Sequence, residues 1–232
     1  MKRIEQVRLS AVIGFIVILS FSLALGDEPG FYFKADLGGS ITSDTQANIR
    51  TDWNPLTGNP SETSAFKARV DPGKRIGIAC GYQFKDWLAA EGETGAIING
   101  VNGALQEGTF VNVPFLFNAK LQYPNGSNWT PYIGAGAGIS AAILNADVLI
   151  AGRAFSTYQR IPTTEADAVF AYQAFAGLRY KLNERSSLCV EYHYIATDAP
   201  QWDIQMTRYS HTTLKFGSIE SHAFGLAFEY RF

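Results

Sequence analysis

The feature of this sequence that most constrains its fold is a two-residue alternation of large apolar side chains with small or charged ones. The clearest example runs from His222 to Phe232. After His222, every even-numbered residue is aromatic or aliphatic, and every odd-numbered residue is Ala, Gly, Glu or Arg. Because successive side chains of a strand point to opposite faces, this segment predicts a strand with one apolar and one polar face.

The same alternation recurs in seven earlier segments, so eight strands are predicted. They are Phe31–Gly39, Lys74–Phe84, Trp87–Gly95, Val111–Leu121, Ile133–Ile139, Phe170–Tyr180, Leu188–Tyr194 and His222–Phe232. Short connections, such as Lys85–Asp86, alternate with long ones rich in Asn, Thr, Ser and Gly, at about Ser40–Gly73, Ala142–Ala168 and Ile195–Ser221. This order of short turns and long loops over an even number of strands is typical of a transmembrane barrel.

The distribution of bulk between the two faces favours a membrane barrel over a soluble one. The polar face consists mostly of Gly, Ala, Ser and isolated charges, which suits a narrow interior. The opposite face carries large residues, and its aromatic members cluster beside the short turns, as in an interfacial girdle: Tyr82, Phe84, Trp87, Tyr123, Tyr180, Phe228, Tyr230 and Phe232. We therefore expect an all-β fold, an eight-stranded antiparallel up-and-down transmembrane β-barrel. Pro114 does not fit mid-strand and predicts a bulge or a later strand start.

The N-terminal segment predicts a cleaved signal peptide over residues 1–26. Lys2, Arg3 and Arg8 precede an apolar run, and Ala24 and Gly26 provide the small residues of a cleavage site, so residues 27–232 would form the barrel domain. An uncleaved membrane anchor is the alternative. The mean hydropathy of -0.03 excludes a bundle of transmembrane helices, and the net charge of -2 argues against nucleic-acid binding.

Several segments resemble the bacterial outer-membrane β-barrel superfamily of porin-family, opacity and surface-antigen proteins, the outer membrane protein A-like barrels. They are Thr130–Gly138, Tyr172–Tyr180, Val190–Tyr194 and Ser221–Phe232. The resemblance implies placement in the bacterial outer membrane, but it does not imply one activity. His193 departs from the family pattern, in which arginine is usual at this position.

Folding the predicted strands places eleven titratable residues inside the barrel. They are Lys34, Asp36, Arg75, Glu91, Glu93, Lys120, Arg179, Glu191, His193, Glu229 and Arg231. Because buried charges must be paired or solvated, five basic and five acidic groups predict a network of salt bridges that plugs the lumen. A gated ion path is the alternative, but eight strands leave little room for one.

No catalytic residue, metal site or cofactor is predicted. Ser210–His211 and Ser221–His222 could suggest a lipid A-modifying hydrolase, but neighbouring strand residues point to opposite faces. Glu91 and Glu93 share a face and could serve acid-base chemistry, although interior Arg and Lys partners explain them as well. Cys80 and Cys189 are expected on opposite faces as free thiols, with one disulfide as the alternative.

The predicted function is a structural or surface-exposed role in the outer membrane, in envelope integrity, adhesion or antigen display. A narrow channel for small or apolar solutes and, less favoured, a lipid A-modifying enzyme are the alternatives. The expected partners are outer-membrane lipids, the outer-membrane assembly machinery and an extracellular ligand for the loops, where Trp53 and Trp202 are expected to be exposed; we expect a monomer. Phe228, Tyr230 and Phe232 form the predicted assembly signal.

Overall fold

A computed structural model describes residues 30–53, 62–102, 105–150, 159–207 and 210–232. The predicted signal peptide and its cleavage site at Ala24 and Gly26 lie outside the described residues. The strands are β1 Phe31–Thr42, β2 Thr45–Trp53, β3 Glu62–Val70, β4 Gly73–Lys85, β5 Leu88–Asn102, β6 Leu105–Gln122, β7 Trp129–Ile150, β8 Gln159–Lys181, β9 Ser186–Thr197, β10 Gln201–Thr207, β11 Ser210–Phe216 and β12 Ile219–Arg231. No helix among the described residues is long and apolar enough to cross a membrane.

Eight of these strands form a closed antiparallel barrel, as the sequence predicts. The ring runs β1, β4, β5, β6, β7, β8, β9 and β12, and β12 returns to pair with β1 from Tyr32↔Arg231 to Thr42↔Ser221. The amide of the terminal Phe232 also donates to the Phe31 carbonyl at 3.1 Å. Closure matters because an open strand edge in lipid would leave backbone groups without hydrogen-bond partners.

The predicted alternation decides which side chains face outward. Leu37, Phe117, Ile133 and Leu226 are between 60% and 70% exposed, while their strand neighbours point inward. A soluble protein rarely leaves so many large apolar residues uncovered, whereas a lipid-facing barrel requires it. The polar interior and apolar exterior therefore confirm the inverted, membrane-type arrangement.

The prediction of long, solvated loops is wrong for much of their length. The expected loops Ser40–Gly73 and Ile195–Ser221 contain the hairpins β2–β3 and β10–β11, and Ala142–Ala168 contains the ends of β7 and β8. Strand β7 has 22 residues, about twice the 9–11 that cross a bilayer, so the sheet continues beyond the membrane. We call this end of the barrel the hairpin end and the opposite end, with its short connections, the short-turn end.

The extra strands form an extension of four strands in the order β10–β11–β2–β3, which we call the hairpin sheet. It joins the barrel where Arg69 and Val70 of β3 pair with Asn102 and Val101 of β5. The exposed Asp44 stabilises the hairpin sheet where it joins the barrel. Its carboxylate pairs with Lys67 Nζ at 3.0 Å and accepts a hydrogen bond from the Val70 amide at 3.1 Å. These contacts hold the pKa of Asp44 below its ordinary value.

Pro114 stays inside β6, where the sequence predicts a bulge or a later strand start. The register between β5 and β6 is the same on both sides of it, from Thr94↔Phe115 to Ile97↔Asn112, but the pairs in between are missing. The proline has no amide hydrogen to donate, so the ladder is interrupted without a shift. On its other side, Pro114 remains paired with Ser140 of β7.

The two cysteines are free. Cys80 is exposed on the outer face, and Cys189 is buried inside the barrel. Their positions on opposite faces follow directly from the strand parity.

Candidate functional site

The candidate site is the charged interior of the barrel. The structure places all eleven side chains of the predicted set in the lumen, where every one of them takes part in an ion pair or hydrogen bond; we call them the lumen network. Its members are Lys34, Asp36, Arg75, Glu91, Glu93, Lys120, Arg179, Glu191, His193, Glu229 and Arg231. All but Arg179 and Arg231 are buried.

Two lysines occupy the centre of this network. Lys34 Nζ lies 2.8 Å from Glu191 Oε1 and 3.5 Å from Glu91 Oε2. Lys120 Nζ lies 2.7 Å from the other oxygen of Glu91 and 3.2 Å from Glu229 Oε2. Charges of opposite sign therefore alternate across the lumen in the order Glu191, Lys34, Glu91, Lys120 and Glu229. Since both lysines are about 1% exposed, water cannot replace a lost partner.

Two tyrosines that the sequence analysis missed complete this chain. Tyr32 Oη donates to Glu91 Oε1 at 2.6 Å, and Tyr132 Oη donates to Glu191 Oε1 at 2.6 Å. The Lys120 ammonium also lies over both rings, 4.2 Å and 5.4 Å from their centres. Strand parity could have found Tyr32, because it lies two residues before the interior Lys34 and so shares its face.

Inward-facing glycines make room for these tyrosine rings. Tyr32 is paired with Gly81 across the sheet, and Tyr132 is paired with Gly177. A Cβ atom on Gly81 would lie 2.2 Å from Tyr32 Cζ, and one on Gly177 would lie 2.4 Å from Tyr132 Oη. Both distances are far below van der Waals contact, so these strand positions require the absence of a side chain.

We expect Gly177→Ala to destabilise the barrel by about 1–3 kcal/mol, the usual cost of overpacking a filled interior. The added methyl group would displace Tyr132 and lengthen its hydrogen bond to Glu191. The matched control is Gly92→Ala, because a Cβ at the outward-facing Gly92 has no atom within 4 Å. Urea unfolding in detergent, followed by heat-modified gel migration, measures both variants. Equal stability of the two would contradict this account of the glycines.

A second cluster surrounds Arg75. Its guanidinium binds Asp36 through Nε at 2.8 Å and Glu93 through Nη2 at 2.6 Å. The second oxygen of Glu93 accepts from Asn118 Nδ2 and Gln173 Nε2, each at 2.7 Å. The two amides therefore provide the hydrogen bonds that water would give to an exposed carboxylate.

His193 connects the two clusters. Its Nε2 atom lies 3.1 Å from Glu191 Oε2, and its Nδ1 atom lies 3.3 Å from Gln173 Oε1. The ring stacks on Phe175 with 5.5 Å between centres. Although the family resemblance leads to arginine at this position, the smaller imidazole still reaches an acidic partner, and Phe175 fills the space beside it.

At the short-turn end, the network reaches the edge of the lumen. Arg179 Nη1 lies 3.1 Å from Glu229 Oε1, and Arg231 Nε lies 3.5 Å from the same oxygen. Arg231 also donates to Gln83 Oε1 at 3.0 Å, which in turn accepts from Gln122 at 2.8 Å. Glu229 thus has three cationic neighbours, so no single one of them carries the whole interaction.

Toward the hairpin end, the charges give way to neutral polar groups and then to apolar ones. Thr42 Oγ1 and Ser221 Oγ share a hydrogen bond of 2.8 Å, and Asn99 Nδ2 donates to the Asp71 carbonyl at 2.8 Å. Beyond this layer lies an apolar cluster that we call the mouth core. Its buried members are Ala47, Ala68, Val101, Phe110, Ala142, Leu144, Trp202, Leu214, Phe216 and Ile219.

The expectation that Trp202 is exposed is wrong. The side chain is 1% exposed, packs against Phe216 with 5.0 Å between ring centres, and donates from Nε1 to the Ala142 carbonyl at 3.0 Å. The cause is the hairpin sheet, whose strand β10 turns this face inward. The side chain of Trp53 lies outside the described residues.

The geometry separates the Ser–His pair considered above. Ser221 is buried in the lumen, whereas His222 is on the outer face and shares a hydrogen bond of 2.7 Å with Tyr192 Oη. The side chains of Ser210 and His211 lie outside the described residues. Glu91 contacts Lys34, Lys120 and the Tyr32 hydroxyl, and Glu93 contacts Arg75, Asn118 and Gln173. Within the described ranges, no group of three or more His, Cys, Asp or Glu side chains could hold a metal ion.

Comparison with known proteins assigns the fold to a family. The family model for the outer membrane protein beta-barrel domain matches residues 12–232. The chain belongs to this family. Two solved structures illustrate the likeness. Neisserial surface protein A is 15% identical, with 88% of this chain and 97% of that chain covered and a TM-score of 0.50. OprG from Pseudomonas aeruginosa is 14% identical, with 88% and 98% covered and a TM-score of 0.58.

At these identities, the solved structures show the shared fold alone. No curated protein sequence matches the chain significantly. The family and the lipid-facing exterior place this protein in the bacterial outer membrane. In barrels of this kind the short turns usually face the periplasm, so we expect the hairpin end to be extracellular.

Proposed function

We propose that this outer-membrane β-barrel is a surface-presenting structural protein with a closed lumen. The observation that carries the proposal is that two groups of side chains fill the barrel interior. The lumen network occupies the half near the short-turn end, and the mouth core occupies the hairpin end. An eight-stranded barrel holds little more than its own side chains, so a permanent water-filled path has no space.

The hairpin sheet is the part of the protein that would meet the cell exterior. Its outer face carries exposed polar side chains from all four strands, among them Gln201, Lys215, Asn48 and Lys67. A sheet held to the barrel by hydrogen bonds and by the mouth core presents these groups on a rigid support. This supports a role in surface contact, adhesion or antigen display.

Surface presentation can be tested by labelling intact cells. In a chain whose Cys80 and Cys189 are replaced by alanine, Lys67→Cys lies on the hairpin sheet and Lys85→Cys lies at a short turn. We expect a membrane-impermeant maleimide to label the first and to spare the second until the cells are lysed. Labelling of Lys85→Cys on intact cells would show that the orientation is inverted.

The contact role itself is tested in a deletion strain. We expect the strain to regain surface adhesion with the wild-type gene or with a Lys85→Glu control, but less so with an Asn48→Glu, Lys215→Glu double variant that adds negative charge to the hairpin sheet. Detergent sensitivity of the same strains reports envelope integrity. Full rescue of both properties by the double variant would argue against function through this face.

One observation favours a second candidate, a conduit for apolar solutes. The mouth core gives the extracellular half of the barrel an apolar interior, which a hydrophobic molecule could enter if Trp202 and Phe216 moved aside. Liposomes containing the protein separate the two functions. The closed barrel predicts no faster entry of an apolar fluorescent solute than protein-free liposomes, whereas a conduit predicts faster, saturable entry. A lipid A-modifying activity has no comparable support, because the Ser221 and His222 side chains lie on opposite faces.

A further inference from the structure

The lipid-facing surface at the hairpin end contains a groove that the proposed function does not use. It has a volume of about 500 Å³ and is lined by Ile41, Tyr192, His222 and Phe224, on strands β1, β9 and β12. This volume is within the range of small-molecule sites. The groove lies on the outer wall of the barrel, so it is separate from the lumen network.

The strand register explains the groove. Ile41, His222 and Tyr194 form one row across the three strands, and Gly39, Phe224 and Tyr192 form the next row. Because Gly39 has no side chain, the outer surface is open at the β1 end of the second row. A Cβ atom there would meet only the Gly73 carbonyl oxygen, at 3.9 Å. Local packing thus does not require glycine at this position, in contrast to Gly81 and Gly177.

The Tyr192–His222 pair forms a polar rim along the groove. His222 is the one titratable residue among the outward positions 222, 224, 226 and 228 of β12, and its Nδ1 atom shares a hydrogen bond of 2.7 Å with Tyr192 Oη. Among the described residues, its Nε2 atom has no protein hydrogen-bond partner. A polar group facing lipid is costly unless it is paired, which makes an external partner favourable here.

Charged residues of both signs lie on either side of this rim. The exposed Lys74 is paired with Gly39 across β4 and β1, on the side away from Phe224. The exposed Glu220 lies on β12, two residues before His222 on the same face of the strand. An anionic group is therefore favoured on the Lys74 side, and hydroxyl groups are favoured beside Glu220, the tyrosines and His222. Their combination corresponds to a phosphorylated sugar better than to a simple anion.

We propose that this groove binds one phosphorylated glycolipid of the outer leaflet, of the lipid A type. One acyl chain lies in the apolar groove over Gly39, the phosphate contacts Lys74, and the sugar contacts the Tyr192–His222 pair. The lipid is the natural occupant because the groove opens to the bilayer at the extracellular end of the barrel, where the outer leaflet surrounds it. A lysine at this depth extends its ammonium group toward the headgroups.

The test uses the full mature chain in detergent, titrated with bis-phosphorylated lipid A and followed by native mass spectrometry. Gly39→Leu fills the groove, and Gly92→Leu is the matched control, because it adds the same side chain at another outward glycine with open space around it. Lys74→Gln removes the phosphate contact, and Lys85→Gln is its control at the short-turn end. Heat-modified gel migration checks that every variant is folded.

We expect wild type, Gly92→Leu and Lys85→Gln to retain one lipid A per barrel at saturation. Gly39→Leu should weaken this binding about tenfold, which corresponds to about 1.4 kcal/mol. Lys74→Gln should bind lipid A only as well as wild type binds dephosphorylated lipid A. The proposal is overturned if Gly39→Leu and Gly92→Leu retain equal amounts, or if phosphatidylglycerol binds wild type as tightly as lipid A does. Either result would indicate a non-specific lipid annulus.

Discussion

Lys120→Met is expected to destabilise the folded barrel by about 3–5 kcal/mol, the cost of leaving a buried charge without its partner. Lys120 lies between Glu91 and Glu229, all three are about 1% exposed or less, and methionine fills nearly the same space without the charge. Glu91 would retain Lys34 at 3.5 Å and the Tyr32 hydroxyl, which limits the loss.

Three comparisons make this prediction specific. Lys181→Met changes an exposed lysine on β8 and should be within about 0.5 kcal/mol of wild type. Arg179→Gln should cost less than Lys120→Met, because Glu229 keeps Lys120 and Arg231 nearby. A Lys120→Met, Glu229→Gln double variant should be less destabilised than the sum of its single changes. Urea unfolding in detergent measures all of them, and an unaffected Lys120→Met would refute a paired lumen.

Phe228→Asp is expected to abolish stable insertion into the outer membrane. Phe228 is 44% exposed on the lipid face of β12, the strand that closes the barrel against β1. An unpaired carboxylate there would lie on the lipid-facing surface beside the short-turn interface, and failure of β12 to pair would leave an open edge. Tyr230→Asp and deletion of Phe232 should act in the same direction, since the Phe232 amide forms the last hydrogen bond to β1.

The matched control for this series is Gln201→Asp, which introduces the same carboxylate at an exposed position of the hairpin sheet. Outer-membrane fractionation and heat-modified gel migration compare the variants. Removal of residues 198–215 is expected to weaken the barrel, because it removes Trp202 and Leu214 from the mouth core, whereas a solvated loop would tolerate the same deletion. Normal assembly of Phe228→Asp would contradict the strand register.

The barrel could be predicted from sequence because each membrane-spanning strand has one continuous apolar face. In β12, the alternation from Phe224 to Phe232 fixes which face is outward, and a shift by one residue would bury Leu226 beside charges while exposing Glu229 to lipid. The same parity places Lys34, Asp36 and Glu91 in the lumen. The alternation does not predict which of these charges form ion pairs, however, because partners such as Lys34 and Glu191 lie 157 residues apart in the sequence.

The hairpin sheet could not be predicted in the same way. Its apolar face is discontinuous, because it consists of scattered, small or isolated residues. Ala47 and Ile49 on β2, or Leu214 and Phe216 on β11, alternate over too few positions to stand out from the surrounding Thr, Asn and Ser. Their burial requires the hairpins to fold over the barrel mouth, which brings Trp202 into contact with Phe110 and the Ala142 carbonyl of the barrel strands. The loop prediction was wrong because this contact is a property of the tertiary structure.

The most direct test of the closed lumen is single-channel recording of the purified protein in planar bilayers. Reconstitution into vesicles of the same lipid, with heat-modified gel migration, first establishes that the inserted protein is folded. Because the lumen network and the mouth core fill the barrel from one end to the other, we predict no stable current above the bilayer background, only rare brief openings. Reproducible stepwise conductance in the nanosiemens range from folded wild-type protein would contradict the closed lumen and favour a channel.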